Sequence, residues 1–175
     1  MNYGQIYFTD TANGIGCRTS LFVSGCSRHC RECFNPETWD FNYGEFFSKD
    51  VEDEVVESVK PPYIDGLSIL GGEPMEIRNQ EAVAHLVHRI KNEAPGATIW
   101  LYSGFTWEEL SNPSSACRTE FADSILSTID VLVDGAFEID KKDISLMFRG
   151  SSNQRIIDVP ETIKKGHIVI SEYNK

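Results

Sequence analysis

Three cysteines lie within eight residues of one another, at Cys26, Cys30 and Cys33. With gaps of three and then two residues, a single loop can wrap all three thiols around one inorganic group. Three thiolates can hold three irons of a 4Fe–4S cube and leave the fourth iron free for a ligand other than protein. The spacing therefore favours an iron–sulfur site.

Zinc and disulfides are the alternative uses of these thiols. A structural zinc site usually takes four ligands, often as two separate pairs. His29 adjoins Cys30 too closely to share one tetrahedron without strain, and an apolar run at residues 20–23 separates Cys17 from Cys26. As a strand of about 3.3 Å per residue, that run would hold these two thiols roughly 20 Å apart or more. An iron–sulfur site is the better prediction, with zinc or unligated thiols as the alternatives.

The cysteine loop and a second motif both follow predicted strands. Residues 19–23 form an apolar strand that ends at the cysteine loop, and residues 66–70 form a buried strand that leads into Gly-Gly-Glu-Pro at 71–74. In α/β folds, ligands collect beyond the carboxyl ends of the strands. We therefore expect both motifs at one end of a sheet.

Strands and amphipathic helices alternate about every thirty residues along the chain, which indicates βαβ units with right-handed crossovers. Four or five such units cannot complete an eight-stranded barrel of roughly 250 residues. We predict one α/β domain over residues 1–175, an open partial (β/α) barrel with a mostly parallel sheet and a last strand at residues 167–172. Ser48 and Thr106 are predicted to cap helices.

The composition restricts the location and the partners. The net charge of −11 argues against nucleic acid, because phosphate binding relies on a basic surface. No apolar run approaches the roughly 18 residues that a membrane span needs, and the first residues lack the features of a signal peptide. Five cysteines are an odd number, unlike the even framework of a secreted disulfide domain. We expect a cytoplasmic protein that is not bound to a membrane.

Together the motifs resemble those of the radical S-adenosylmethionine (SAM) enzymes, in which Cys-x3-Cys-x2-Cys follows one strand and a glycine–glutamate turn follows the next. Within that superfamily the sequence is most similar to the activating proteins of the anaerobic (class III) ribonucleoside-triphosphate reductases. The similar segments run through most of the chain in family order, at residues 14–26, 33–39, 71–74, 102–105, 131–135 and 149–155.

The resemblance implies that Cys26, Cys30 and Cys33 ligate a 4Fe–4S cluster and that SAM binds the fourth iron through its amino and carboxylate groups. A one-electron donor such as flavodoxin or ferredoxin would reduce the cluster, and SAM would break into methionine and a 5′-deoxyadenosyl radical. That radical would take a hydrogen from a glycine of the large subunit of the reductase and leave a glycyl radical. The protein would position these cofactors and contribute no further catalytic side chain.

The resemblance also implies which residues bind SAM. Gly71 and Gly72 would let the backbone approach the methionine amino group, Glu73 would help to neutralise that group, and Pro74 would fix the turn.

The other SAM contacts that the resemblance implies come from four further segments. Ser103 and Asp134 end successive predicted strands and could meet the ribose or a bound cation. Glu32 and Phe34 flank the third cysteine, and Asn153 and Arg155 could bind either SAM or the incoming glycine loop of the reductase. Many radical SAM enzymes carry an aromatic residue at this position, where this sequence has Glu32. A stacking contact is therefore not expected from this side chain.

Other functions are compatible with these motifs. The chain could activate a different glycyl radical enzyme, or act on a small molecule as the 7-carboxy-7-deazaguanine synthases do. It could also be an electron carrier or a zinc-stabilised binding module, although a carrier needs four protein ligands per cube and only three cysteines are grouped here. The oligomeric state is left open, with a homodimer among the options. We also hypothesise that an open barrel leaves its cluster side uncovered and that the reductase supplies the missing wall.

Overall fold

The computed structural model describes residues 1–174, which form one seven-stranded sheet with five α-helices. The strands are β1 (Asn2–Asp10), β2 (Arg18–Val23), β3 (Glu45–Phe46), β4 (Gly66–Gly71), β5 (Thr98–Ser103), β6 (Val131–Asp134) and β7 (Arg155–Asp158). The helices are α1 (Lys49–Ser58), α2 (Ile77–Glu93), α3 (Trp107–Ser111), α4 (Ala122–Thr128) and α5 (Val159–Lys165).

The strand order across the sheet is β3-β1-β2-β4-β5-β6-β7. The central strands β2, β4, β5 and β6 pair in parallel, whereas β1 and β3 on one side and β7 on the other pair antiparallel to their neighbours. The strands at the two edges, β3 and β7, do not pair with each other, so the sheet is open. This architecture confirms the predicted α/β class with a mostly parallel centre, and it is compatible with a partial barrel.

One face of the sheet packs against the helices. Apolar side chains of the central strands and of all five helices form a single buried cluster; examples from both layers are Leu21, Ile69, Leu101, Val56, Leu86, Leu110, Ile125 and Val159. The predicted helix caps are confirmed, because the Ser48 hydroxyl accepts the Val51 N–H and Thr106 forms a capping box with Glu109. No helix within residues 1–174 is long and apolar enough to cross a membrane.

A second, smaller apolar cluster lies apart from the first and is formed by Trp100, Val131, Val133 and Ile156. These residues alternate along their strands with members of the first cluster, and alternate residues of a strand point to opposite faces of a sheet. The second cluster therefore covers the face of the sheet that the helices leave open.

The loop between β1 and β2, residues 11–17, lies across this open face. The Ser68 hydroxyl donates to the Asn13 carbonyl at 2.5 Å, and Arg18 donates to the Ile15 carbonyl at 3.2 Å. The Arg18 guanidinium is buried, and its other donors go to hydroxyl and carbonyl oxygens of Ser68, Leu67 and Thr98. The loop is thus anchored to the start of the parallel strands.

The predicted last strand at 167–172 is wrong as a regular strand. This segment runs beside β7, but it forms one isolated bridge, between Ile157 and Ile170. The N–H of Ile156 donates to the side chain of Asn174, and the N–H of Val169 donates to the Thr162 hydroxyl. Side chains therefore take positions that backbone carbonyls occupy in a regular ladder, and the sequence pattern does not reveal this exchange.

Candidate functional site

A cavity of about 430 Å³ lies at the carboxyl ends of the parallel strands, where both sequence motifs were expected. Eight of the predicted site residues line it: Cys26, Cys30, Cys33, Phe34, Gly71, Gly72, Glu73 and Ser103. Five others do not line it: Glu32, Pro74, Asp134, Asn153 and Arg155. The structure therefore brings the three cysteines together with most of the glycine–glutamate turn.

The cysteine loop turns back on itself to place its thiols along this cavity. His29 and Glu32 have φ angles of 47° and 59°, in the left-handed region that residues other than glycine rarely adopt. The Cys33 N–H donates to the Cys30 carbonyl at 3.2 Å, which closes the turn between the second and third cysteines. Cys26 is buried, whereas the other two cysteines are half-buried.

Cys26 occupies a different environment from the other two cysteines. Burial raises the pKa of its thiol to about 11, although the backbone N–H groups of Arg28 and His29 donate to the sulfur and oppose the shift. Such N–H donors stabilise a thiolate once a metal has displaced the proton.

Backbone hydrogen bonds join the cysteine loop to the glycine–glutamate turn. The Gly72 N–H donates to the Val23 carbonyl at 2.8 Å, and the Glu73 N–H donates to the Gly25 carbonyl at 2.9 Å. Gly71 has a φ of 109°, and a Cβ on Gly72 would lie 2.7 Å from the Gly25 carbonyl oxygen. Both glycines are therefore required by the close approach of two protein segments, whatever ligand they meet.

Two side chains of the turn and of α2 reinforce this junction. The Glu76 carboxylate accepts both the backbone N–H and the hydroxyl of Ser27, at 2.7 and 2.5 Å. The Asn79 amide donates to the carbonyls of Ser24 and Glu73, each at 3.0 Å, and Asn79 is buried. Residues on both sides of Cys26 are thereby held to the second motif.

Glu73 is buried at the edge of the cavity and accepts three hydrogen bonds from protein donors. Its carboxylate accepts the Ser103 hydroxyl at 2.9 Å, the Gly104 N–H at 2.6 Å and the Met75 N–H at 2.9 Å. Burial raises the pKa of Glu73 to about 7, against the lowering effect of these donors and of the Arg28 charge. Ser103 therefore orients Glu73, and its Oγ also accepts the Phe105 N–H.

Asp134 and Arg155 bind each other rather than lining the cavity. Arg155 donates from Nε to Asp134 at 2.9 Å, and its Nη2 contacts both Asp134 and Glu108. Asp134 is buried and also accepts the Trp107 N–H at 2.7 Å. This pair joins β6, β7 and the start of α3.

Of the remaining predicted residues, Phe34 lines the cavity, whereas Glu32, Asn153 and Pro74 do not. Phe34 is 65% exposed and packs against Phe137, with ring centroids 5.2 Å apart. Glu32 is exposed. The Asn153 amide donates to the Ala136 carbonyl at 2.8 Å, and Pro74 is buried beneath the turn.

Three hydrogen-bond donors line the cavity without a partner among residues 1–174, and none of them was predicted. They are Arg28 Nε, Trp39 Nε1 and Tyr102 Oη, and each of these atoms is buried. Burial raises the pKa of the Tyr102 phenol, so it remains a donor. Buried donors normally have acceptors, so this set fits a ligand rich in acceptors. Cluster sulfides and the carboxylate, hydroxyls and ring nitrogens of SAM are such acceptors.

A second cavity, of about 700 Å³, lies at the amino ends of the parallel strands and includes Arg18, Asp65 and Trp100. None of its lining residues has a buried side-chain polar atom without a partner in the part of the chain that the structure describes. The cavity beside the cysteines is therefore the better candidate for a ligand.

Within residues 1–174, no three side chains of His, Cys, Asp or Glu are grouped so that they could hold a single metal ion. A 4Fe–4S cube makes a different demand, because each of the three thiolates binds a different iron. The structure brings the three cysteines to the wall of one cavity.

Comparisons with known proteins agree with these features. Residues 12–157 match the family described as a 4Fe-4S single cluster domain. The anaerobic ribonucleoside-triphosphate reductase-activating protein of Vibrio cholerae is 42% identical over 158 residues, covering 89% of this chain and 97% of that protein. The protein of that name from Escherichia coli (strain K12) is 42% identical over 156 residues, which are 88% of this chain and 96% of the relative. The one from Enterobacteria phage T4 is 35% identical over 89% of this chain and 93% of its own length.

Proposed function

Because the chain belongs to the family of the anaerobic ribonucleoside-triphosphate reductase-activating proteins, we propose that it activates such a reductase by generating a glycyl radical on it. The activity is that of a radical SAM oxidoreductase, and the partner is the large subunit of the reductase. A small one-electron donor such as flavodoxin or ferredoxin supplies reducing equivalents in the cytoplasm, and the activating chain itself is compatible with a homodimer.

Cys26, Cys30 and Cys33 hold the 4Fe–4S cluster in this proposal. When bound, the cluster supplies the electron that cleaves SAM to methionine and a 5′-deoxyadenosyl radical, which removes a hydrogen from a glycine of the reductase. The shared cavity and the junction between the cysteine loop and the glycine–glutamate turn support this assignment. The junction fixes the distance between the thiols and the SAM site, and such positioning is the main contribution of a protein to cofactor chemistry.

The residues that line the cavity divide into two sets around SAM. The turn at Gly71, Gly72 and Glu73 offers backbone close to the cysteines, with Pro74 beneath it and Ser103 orienting the glutamate. Phe34 lies at the mouth, near the exposed Glu32. In this proposal these residues contact SAM, and the place of Phe34, Gly71, Gly72, Glu73 and Ser103 in the cavity wall supports that role.

Asp134, Asn153 and Arg155 act differently in this proposal. They hold the ends of β6 and β7, whose neighbours Gly135 and Gln154 line the cavity. Their effect on SAM is therefore through the shape of the wall, unless the Asp134–Arg155 pair opens.

A single observation carries the proposal: three cysteines share one cavity with three donors that lack a partner among residues 1–174. The relatives of this chain are named as activating proteins of an anaerobic reductase. Incubation of the reconstituted protein with SAM, a reductant and an anaerobic reductase should give a glycyl radical signal in electron paramagnetic resonance of the reductase.

The matched variants for this experiment are Cys30→Ala and Cys117→Ala. The first removes a thiol that faces the cavity, whereas the second removes one from the loop between α3 and α4. We expect Cys30→Ala to abolish the signal and 5′-deoxyadenosine release, and Cys117→Ala to retain both. Release of 5′-deoxyadenosine at the wild-type rate by Cys30→Ala would refute the proposal.

A further inference from the structure

Arg28 reaches from the cysteine loop across the cavity to the end of β5. Its side chain packs directly over Gly104, where a Cβ would lie 2.4 Å from Arg28 Cδ and 2.5 Å from Nε. The guanidinium carbon is 4.7 Å from the centroid of the Phe105 ring. Gly104 thus leaves room for the arginine, and Phe105 supports its charged group from one face.

The charge of Arg28 has no bound anion within the described residues. Its guanidinium forms no ion pair there, and the buried Nε–H has no acceptor. The Arg28 charge acts to lower the pKa of Glu73, but the two oxygens of this carboxylate already accept three protein hydrogen bonds. A half-buried guanidinium with an unfilled donor favours a carboxylate ligand, which it can bind with charge-assisted hydrogen bonds.

The position of the guanidinium decides which anion it meets. The cysteine loop follows β2, whereas Phe105 follows β5, and β4 lies between these strands. At about 4.8 Å per strand, the end of β5 is roughly 10 Å across the sheet from the end of β2. The guanidinium therefore lies at the end of β5, beside Gly104 and Phe105, where Ser103 binds Glu73 of the glycine–glutamate turn.

Resting on the proposed function, we propose that Arg28 binds the carboxylate of the methionine part of SAM. This carboxylate is the one anionic group of SAM, and its two oxygens leave acceptor capacity for an arginine even when one of them binds iron. Arg28 then selects for the intact amino-acid end of the ligand. It also shields a negative charge that would otherwise face the buried carboxylate of Glu73.

Equilibrium binding of two ligands to anaerobically reconstituted protein tests this inference. S-adenosylhomocysteine keeps the carboxylate and is not cleaved, and its carboxamide has an NH2 group in place of one carboxylate oxygen and so lacks the negative charge. Arg28→Gln should weaken binding of S-adenosylhomocysteine by about 10- to 100-fold, the value of a hydrogen bond to a charged group, and binding of the amide by less than about threefold.

Arg31→Gln is the matched control, because Arg31 lies in the same loop, is 69% exposed at its side chain and pairs with the exposed Asp140. It makes the same change of charge outside the cavity and should leave both affinities unchanged. Equal losses for the two ligands in Arg28→Gln, or no loss for either, would overturn the inference while the proposed function stands. Failure of the wild-type protein to bind S-adenosylhomocysteine would instead count against the proposed function, and with it the inference.

Arg28→Lys provides a second test in case Arg28→Gln cannot be reconstituted with the cluster. Lysine keeps the charge but loses the planar fork and the Nε–H. It should retain a reduced preference for S-adenosylhomocysteine over the amide. Equal affinities of Arg28→Lys for the two ligands would overturn the inference even if Arg28→Gln could not be reconstituted.

Discussion

Tyr102 keeps a buried hydroxyl without a hydrogen-bond partner among residues 1–174. A buried donor of this kind costs free energy in the absence of a ligand. The hydroxyl lies in the wall of the cavity, where a bound ligand offers acceptors. At this residue, stability without ligand and affinity for ligand are therefore opposed.

We predict that Tyr102→Phe stabilises the cluster-free protein by about 1 kcal/mol and weakens binding of S-adenosylhomocysteine to the reconstituted protein by about fivefold or more. Urea denaturation and equilibrium binding measure the two effects. Tyr63→Phe is the control, because Tyr63 is 68% exposed and should change neither quantity. A variant that loses stability and binds normally would show that the hydroxyl has a protein partner.

The individual residues show what a sequence can reveal about a site. Because the cysteine loop and the glycine–glutamate turn each follow a predicted strand, the sequence was sufficient to predict that both lie at one end of the sheet, and they line one cavity. Arg28 escaped prediction because residue type and position do not indicate which donors lack an acceptor. That property depends on packing from distant parts of the chain.

Asp134 and Arg155 show the opposite case, because they were predicted as ligand contacts but already have partners in the protein. Asp134 was predicted to contact SAM because it ends a strand at the presumed active face, and Arg155 because it lies in a segment that resembles the family. The structure pairs them with each other and with Glu108, contacts that join residues far apart in sequence. Their role towards SAM stays a prediction, and a direct contact would require this ion pair to open.

At the scale of elements, the start of α2 positions the cysteine loop. Glu76 precedes the first residue of this helix and accepts two hydrogen bonds from Ser27, next to Cys26. Because Asn79 and backbone hydrogen bonds hold the same junction, losing Glu76 should loosen the loop without unfolding the domain.

We predict that Glu76→Ala lowers the iron and sulfide content after reconstitution to about half of the wild-type value or less, with a loss of unfolding free energy of about 1 kcal/mol. Glu81→Ala removes an exposed carboxylate from the same helix and should keep the full content. Metal analysis and thermal denaturation provide the comparison. Full cluster content in Glu76→Ala would mean that backbone contacts alone position the loop.

The loop between β1 and β2 depends on Asp10. Partial burial alone would raise the pKa of Asp10, but hydrogen bonds from the Ser20 hydroxyl, the Ala12 N–H and the Asn13 amide outweigh this effect and lower the pKa. A carboxyl group with a lowered pKa stabilises the fold above its ordinary pKa, and this contribution is lost as the pH falls through the lowered value.

We expect Asp10→Asn to reduce the free energy of unfolding by about 1 kcal/mol at pH 7, a modest value because the site is partly open to solvent. The difference from wild type should shrink as the pH falls below about 4. Urea denaturation across this range measures it, with Asp140→Asn, at an exposed carboxylate, as the control. A deficit that is constant with pH would rule out the carboxylate charge as its cause.

Regular elements followed from local signals more readily than irregular ones. Ser48 and Thr106 were predicted as caps and act as caps, because capping depends on residues within one helical turn. The segment at 167–172 has the apolar pattern of a strand, but Asn174 and Thr162 supply hydrogen bonds that disrupt the ladder. When a side chain accepts a hydrogen bond in place of a backbone carbonyl, the sequence shows no periodic pattern that would reveal it.

At the scale of the whole molecule, the sheet is open, because its edge strands β3 and β7 do not pair with each other. Phe34 lines the cavity and is 65% exposed, and Ile144, in the segment between β6 and β7, is 93% exposed. These features agree with the hypothesis that the reductase covers the cluster side of the protein.

We predict that the reductase slows alkylation of Cys30 and Cys33 in the cluster-free protein by about tenfold or more, because both half-buried thiols face the cavity. Cys117 lies outside the cavity and should react at an unchanged rate, which makes it an internal control. Mass spectrometry after timed exposure to a maleimide gives the three rates. Equal rates at Cys30 and Cys33 with and without reductase would contradict the hypothesis of a missing wall.

Asn174 joins the last described stretch of chain to the wall of the cavity, since its side chain accepts hydrogen bonds from the Ile156 N–H and from Arg149. Replacing this one asparagine would therefore disturb both the edge of β7 and, through Arg149, the wall of the cavity.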